Sequence, residues 1–230
     1  MTSCAEADGG QGPVAEIVVF GGGGRLGCRV AAEASSRGHR VIGVVRGVTS
    51  VPVGEDVEVA TGDVTDLGAV HRLAGSADVL VATLGAPDKS VYLPAARTLV
   101  AAVRQLNEPR PRVIHSGGGG SLLDAHGTRF VDTPGFPEAL RPEVLGQAAA
   151  LDYHRTISDV DWVYLSPPPG NFEPGTRTGH HGTRDDHPVA DAQGRFGISY
   201  EDDAIALVDG IDHPRHHRER FTVGSVGEGR

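Results

Sequence analysis

Three groups of residues have types and spacings that could do chemistry. The first is Gly21, Gly24 and Gly27, spaced G-x-x-G-x-x-G within FGGGGRLG, directly after the apolar run AEIVV. Glycine weakens strands and helices alike. Such a cluster marks a backbone that turns sharply or that something approaches closely. Between a strand and a helix, this spacing suits a diphosphate. The turn is tight, no side chain stands in the way, and the helix offers free N–H groups and the positive end of its dipole. The alternative is a glycine-rich turn with no ligand, and the strand–turn–helix context weighs against it.

The second group is basic. A dinucleotide site that prefers an unphosphorylated ribose usually carries Asp or Glu about 20 residues past the glycines, at the tip of the second strand. That place is VVRG here, with Arg46. A carboxylate would repel a 2′-phosphate, whereas a guanidinium grips one with paired hydrogen bonds. Arg25, inside the turn, offers a second positive contact. Unless Arg46 is merely a solvated strand end, the coenzyme expected is NADP(H) rather than NAD(H).

The third group is the set of hydroxyls and imidazoles that could handle a proton. Ser116 ends the run RVIHS and is either a ligand contact or a hydroxyl capping its own turn. Tyr153 invites the Tyr-x-x-x-Lys reading of a carbonyl reductase, but the residue four places on is Ile157. Of the eleven histidines, His180, His181 and His187 share one polar loop, and His213, His216 and His217 follow the last helix. Neither cluster has HExxH or Cys/His spacing, so both are expected to be solvated and no metal is expected. Arg177, in PGTRTG, is open between a solvated loop residue and a substrate or phosphate contact. Trp162 and Tyr164 belong to an apolar strand and are expected to be packing groups.

These residues need elements to position them. Short apolar runs at 15–20, 40–46, 57–61, 78–83, 112–116 and 161–165 read as strands. Helical patterns at 25–38, 91–105, 143–157 and 200–211 lie among them, another helix starts after residue 66, and RFTVG at 220–224 is a last strand. Strands alternating with helices imply βαβ units, a parallel sheet and a doubly wound Rossmann-like α/β fold. Residues 167–199 are rich in proline, glycine and polar side chains. They are expected to form a loop-rich annex on the substrate side of a single domain spanning 15–224, between a disordered leader at 1–14 and a tail at 225–230.

Bulk properties narrow the classes. The 230 residues suit one domain, and 39% hydrophobic and 22% charged content are ordinary for a soluble chain. A net charge of -9 argues against general nucleic-acid binding. No apolar run is long enough to span a bilayer, no secretory signal is evident, and Cys4 and Cys28 form no framework, so a reducing cytoplasm is expected.

The motifs FGGGGRLG, VVRG, GDVTD, VATLG, RVIHSGGGGSL, FVDTPGFP, DWVYLSPPP, EPGTRTG and GISYEDDAIALVDGI together resemble the atypical short-chain reductases of the NmrA-like type. The nearest group within it is that of the NADH-flavin reductases, related to biliverdin reductase B. The resemblance covers roughly residues 15–224. Its usual turn is G-A-T-G-x-x-G, so Gly22 and Gly23 depart from the pattern. The resemblance implies that Gly21, Gly24, Arg25, Leu26 and Gly27 hold the diphosphate and Arg46 the 2′-phosphate. Asp63 and Val64 would flank the adenine, while Thr83, Leu84 and Gly85 would line the ribose and nicotinamide side. Ser116 and Gly117 would face the nicotinamide, and Pro167 and Pro168 would wall the coenzyme. Ser116 and Tyr153 are the catalytic candidates. The flavin and biliverdin reductases also lack the Tyr–Lys pair, and their helix can carry a histidine near the active site. Asp152 or Tyr153 aligns there, with His154 pointing elsewhere.

The implied activity is hydride transfer from NADPH to a planar acceptor such as a flavin or quinone, or to a small carbonyl or enone. A non-catalytic NADP-binding sensor and an epimerase or dehydratase are the alternatives. A small-molecule substrate is expected, with no nucleic acid or membrane partner, and the oligomeric state stays open between monomer and homodimer.

Overall fold

The computed structural model describes residues 13–47, 54, 56–85 and 90–227. The expected leader up to residue 12 and the tail residues 228–230 lie outside the described residues. In chain order the elements are β1 (Glu16–Phe20), α1 (Gly27–Ser36), β2 (Arg40–Val45), β3 (Glu58–Thr61), α2 (Leu67–Ala74), β4 (Val79–Thr83) and α3 (Tyr92–Arg104). They continue with β5 (Arg112–Ser116), α4 (Arg141–Arg155), β6 (Trp162–Ser166), β7 (Asn171–Glu173), β8 (Gly182–Arg184), β9 (Gly197–Ser199), α5 (Tyr200–Asp212) and β10 (Glu219–Gly224).

The main sheet has the order β3-β2-β1-β4-β5-β6-β10-β8. Neighbours from β3 through β10 are parallel and β8 is antiparallel to β10. The order reverses between β1 and β4, which opens a crevice outside the carboxyl ends of these two strands, where α/β sheets take their ligands. Central strands covered on both faces must be apolar throughout, and VLVAT of β4 and WVYLS of β6 are buried at every position. Side-chain alternation splits the core in two. Val18, Phe20, Leu80, Val113 and Trp162 point into a layer with the apolar faces of α3 and α4. Ile17, Val19, Val81, Ile114 and Leu165 point into a layer with α1 and α5.

The annex differs from the expected loops. β7 and β9 form a parallel pair, and β8 joins the edge of the main sheet. These strands have only three residues each, too few to show a period of two. Their order comes from backbone partners far away in the chain. The 24-residue segment between β5 and α4 holds three single 3₁₀ turns, at Gly119–Ser121, Phe130–Asp132 and Glu138–Leu140.

Candidate functional site

Phe20, the last residue of β1, leads into Gly21, which sits at φ +84°, a conformation that favours glycine. The Gly22 N–H donates to the Val19 carbonyl at 3.2 Å and the Gly24 N–H to the Gly21 carbonyl at 2.8 Å, closing the turn. A Cβ at Gly27 would collide with the Gly21 carbonyl and lie 2.6 Å from Thr83 Oγ1. The first turn of α1 therefore seats directly on the end of β1. Thr83 is buried beneath this corner and its hydroxyl donates to the Phe20 carbonyl at 3.2 Å. Gly24 and Arg25 are exposed, Leu26 is half-buried at the N-cap, and no side chain caps α1. By contrast, α2 is capped by Asp66, which accepts from the Gly68 and Ala69 N–H groups at 2.8 and 3.2 Å. At the start of α1 the Cys28 and Arg29 N–H groups donate to the Gly24 and Leu26 carbonyls, no side chain occupies the end, and the positive dipole end lies at the exposed Gly24 and Arg25, as a diphosphate cradle requires.

Arg46 is exposed immediately after β2. The next strand end brings Asp63 close to it. Asp63 accepts from the Thr65 N–H at 2.8 Å and the Thr65 hydroxyl at 2.7 Å. These bonds, helped by the Arg46 charge, hold its carboxyl below the usual range. Val64 is buried in the α3/α4 layer, so its backbone is the part available to a ligand. Leu84 is half-buried and Gly85 exposed beyond β4.

On the other side of the crevice, Ser116 is buried at the tip of β5, in register with Thr83. Among the described residues its hydroxyl has no hydrogen-bond partner. Gly117 passes so close to Tyr164 that a Cβ there would enter the phenol ring. Gly119 lies against the chain at Pro167–Pro169, with the Pro167 carbonyl 2.5 Å from where its Cβ would be. Pro167 and Pro168 are buried and thereby fixed just beyond β6.

Tyr153 is not brought to this crevice. It lies in the last turn of α4, half-buried against the α3/α4 layer, with the Arg97 guanidinium 5.8 Å from its ring centroid. The same helix reaches the crevice loop with its first half, where Gln147 covers Gly118 and Val144 abuts Gly120. Glu143 accepts from the Tyr92 hydroxyl at 2.8 Å. Sequence reading passed over Tyr92, Glu143 and Gln147 because one helical turn decides which residues face the loop. His154 points inward: its Nε2 is 3.2 Å from His115 Nδ1, and its ring stacks on Trp162. Both imidazoles are fully buried. Burial pushes His154 down to about 4, and burial together with the neighbouring ring pushes His115 well below the ordinary value. Trp162 and Tyr164 are packing groups, as expected.

The remaining candidates are anchored elsewhere. Arg177 donates to Glu33 on α1 at 3.0 Å. His216 stacks on Phe221 and pairs with Glu219, and His217 pairs with Asp161. Among the described residues no three His, Cys, Asp or Glu side chains converge as a metal site.

A doubly wound sheet with an open glycine corner at its switch point defines the class: a Rossmann-like dinucleotide-binding protein. Residues 21–214 match a family described as NAD(P)H-binding, and the chain belongs to that family. Three solved structures are similar over most of the chain. A Burkholderia pseudomallei protein provisionally named an exported protein is 34% identical with a TM-score of 0.83, covering 92% of this chain and 100% of its own. A Bacteroides thetaiotaomicron protein provisionally named an epimerase is 31% identical, TM-score 0.83, covering 94% and 100%. A Streptococcus pneumoniae TIGR4 protein provisionally named an NADH-flavin reductase is 26% identical, TM-score 0.82, covering 92% and 99%. The fold is shared with all three, and the family match gives this chain a nicotinamide coenzyme. Among the described residues, no helix is long and apolar enough to cross a membrane.

Proposed function

We propose that the chain is an NADPH-dependent oxidoreductase acting in the cytoplasm on a small molecule: a planar acceptor such as a flavin or quinone, or a small carbonyl or enone metabolite. The observation that carries this reading is the uncapped α1 start, framed by Gly21, Gly24 and Gly27, with Arg46 exposed at the neighbouring strand tip. In this reading the N–H groups of Arg25, Leu26 and Gly27 receive the diphosphate, and Arg46 receives the 2′-phosphate. Asp63 and Val64 flank the adenine. Thr83, Leu84 and Gly85 line the ribose side. Gly117, Pro167 and Pro168 wall the nicotinamide end. The bound nicotinamide supplies the hydride. The unpartnered Ser116 hydroxyl orients the nicotinamide amide or the acceptor. Tyr153 has no part, and solvent supplies the proton, which a flavin or quinone tolerates.

Titration with NADPH and NADH, followed by coenzyme oxidation with FMN, FAD and quinones, tests the proposal. The expected result is tighter uptake of NADPH, a preference lost in Arg46→Ala, and turnover with at least one acceptor. Uptake of neither coenzyme would remove the reading. The Bacteroides neighbour's name favours one alternative, an epimerase on the same scaffold. Coenzyme uptake without net oxidation by any acceptor would select it, or a sensor.

A further inference from the structure

Arg29, on the outer face of α1, joins two parts of the molecule, the glycine turn and the start of α5. Its Nη1 donates to the Arg25 carbonyl at 2.6 Å, inside the glycine turn. Its Nε donates to Glu201 Oε1 at 2.6 Å, in the first turn of α5. Its guanidinium carbon lies 5.6 Å from the Tyr200 ring centroid, and Tyr200 meets Phe172 of β7 edge to face at 4.5 Å. The second oxygen of Glu201 accepts from the Gly175 N–H at 2.8 Å. Desolvation works against the Glu201 charge, yet the Gly175 and Arg29 bonds hold its carboxyl below the usual range.

Gly175 begins a strap that runs across the start of α5. Ser199 donates to the Thr176 carbonyl at 3.0 Å. Asp202 accepts from the Thr178 N–H at 2.8 Å, the Gly179 N–H at 2.9 Å and the Thr178 hydroxyl at 2.6 Å. The strap lies in the annex, and Arg29 with Glu201 connects it to the glycine turn by hydrogen bonds.

We infer that Arg29 and Glu201 are positioning residues that couple the diphosphate turn to the annex strap. The inference rests on the coenzyme reading above. A diphosphate at the N–H groups of Arg25 and Leu26 fixes the peptide whose carbonyl Arg29 holds. A fixed Arg29 holds Glu201, and Glu201 fixes Gly175. The two sites then share one free energy of ordering, and the effect is reciprocal: an acceptor that orders the strap tightens coenzyme binding by the same factor.

Hydrogen exchange on the full chain, with and without saturating NADPH, tests this, together with NADPH dissociation constants for wild type, Glu201→Gln, Arg29→Lys and Arg177→Ala. In wild type, NADPH is expected to slow exchange at residues 175–179 as well as at the turn. In Glu201→Gln the turn keeps its protection, the strap loses it, and NADPH binds roughly 5- to 10-fold more weakly. Arg29→Lys, which keeps the charge but cannot bridge two acceptors in one plane, should show the same split if Glu201→Gln does not fold. Arg177→Ala loosens the strap at Glu33 but leaves the Arg29–Glu201 link intact, so NADPH should still slow exchange at residues 175–179 in that variant. Strap protection that persists in both the Glu201 and Arg29 variants overturns the coupling while leaving the coenzyme reading intact. A wild-type chain that takes up neither coenzyme overturns that reading and the coupling with it.

Discussion

Gly21–Gly24 and Gly117–Gly120 are the same string of four glycines, each following the tip of a central strand, and their surroundings differ. Around the first run the close neighbours are mainly backbone. Gly21 and Gly27 press on the Thr83 and Gly21 carbonyls, Gly22 on the backbone of Gly43, and the outer residues Gly24 and Arg25 stay open. Around the second run the neighbours are largely side chains: the Tyr164 ring, the Gln147 amide and Val144, with backbone only at Gly119. The first run clears space beside the start of a helix. The second lets α4 and the segment after β6 close over the tip of β5. Backbone crowding with an open rim suits a phosphate cradle, whereas side-chain crowding makes a floor.

The comparison can be broken most forcefully at Gly27. Alanine is the better helix former, but its methyl would sit on the Gly21 carbonyl, and backbone cannot move aside. Gly27→Ala is expected to cost about 3 kcal/mol or more, or to abolish folding, measured by urea denaturation. A neutral result would mean that the corner is looser than described.

Acid sharpens the contrast next. Tyr164, against which Gly117 packs, stacks on His115, and His115 meets His154. Both histidines have folded pKa values below the unfolded one, so their neutral burial stabilises the fold fully above pH 6.5. That stability is lost as the pH falls through His154's value of about 4, by up to about 3 kcal/mol for His154. The single tryptophan, Trp162, stacks on His154 and should report this loss by fluorescence. His154→Phe should flatten the acid limb. Asp203 has the opposite sign. Burial raises its carboxyl to about 7, and neither oxygen has a partner among the described residues. Its neutral form fits the fold, so stability falls as the pH rises from about 4, where the unfolded chain ionises, through 7. Asp203→Leu should raise the melting temperature at pH 8 and change it least near pH 4, where calorimetry can compare the two.

Gly119→Ala should cost about 2 kcal/mol, because the carbonyl of Pro167 stands 2.5 Å from the new Cβ and the proline segment yields little. Smallest in stability are Gly24→Ala and Gly118→Ala, each about 1 kcal/mol or less. Gly24's nearest neighbour would be the Gly21 carbonyl at 3.1 Å, and Gly118 would displace only the flexible end of Gln147. The two should part in ligand binding. In the proposed site, Gly24→Ala weakens NADPH at least about 10-fold, a loss of about 1.4 kcal/mol, while Gly118→Ala leaves it within about 2-fold. Equal effects in a fluorescence titration would erase the distinction between cradle and floor.

Local pattern was enough to place the alternation of apolar strands and amphipathic helices, the sheet class and the glycine corner. Burial on both faces writes continuous apolar runs, and a strand-to-helix turn over a phosphate writes glycines at fixed spacing. The notion that Tyr153 reaches the site did not survive folding: α4 offers its first half to the crevice and its last turn to Arg97 and the α3 side. Nothing local showed that His154 would meet His115 across 39 residues, or that Arg177 would pair with Glu33 across 144. Nor could three-residue runs such as Asn171–Glu173 announce themselves as strands, since their partners alone define them. Sequence determined what each segment tends to be, because periodicity and turn chemistry act between near neighbours. Only the tertiary structure decided which polar side chains meet, because that depends on the register and rotation of elements packed from distant parts of the chain.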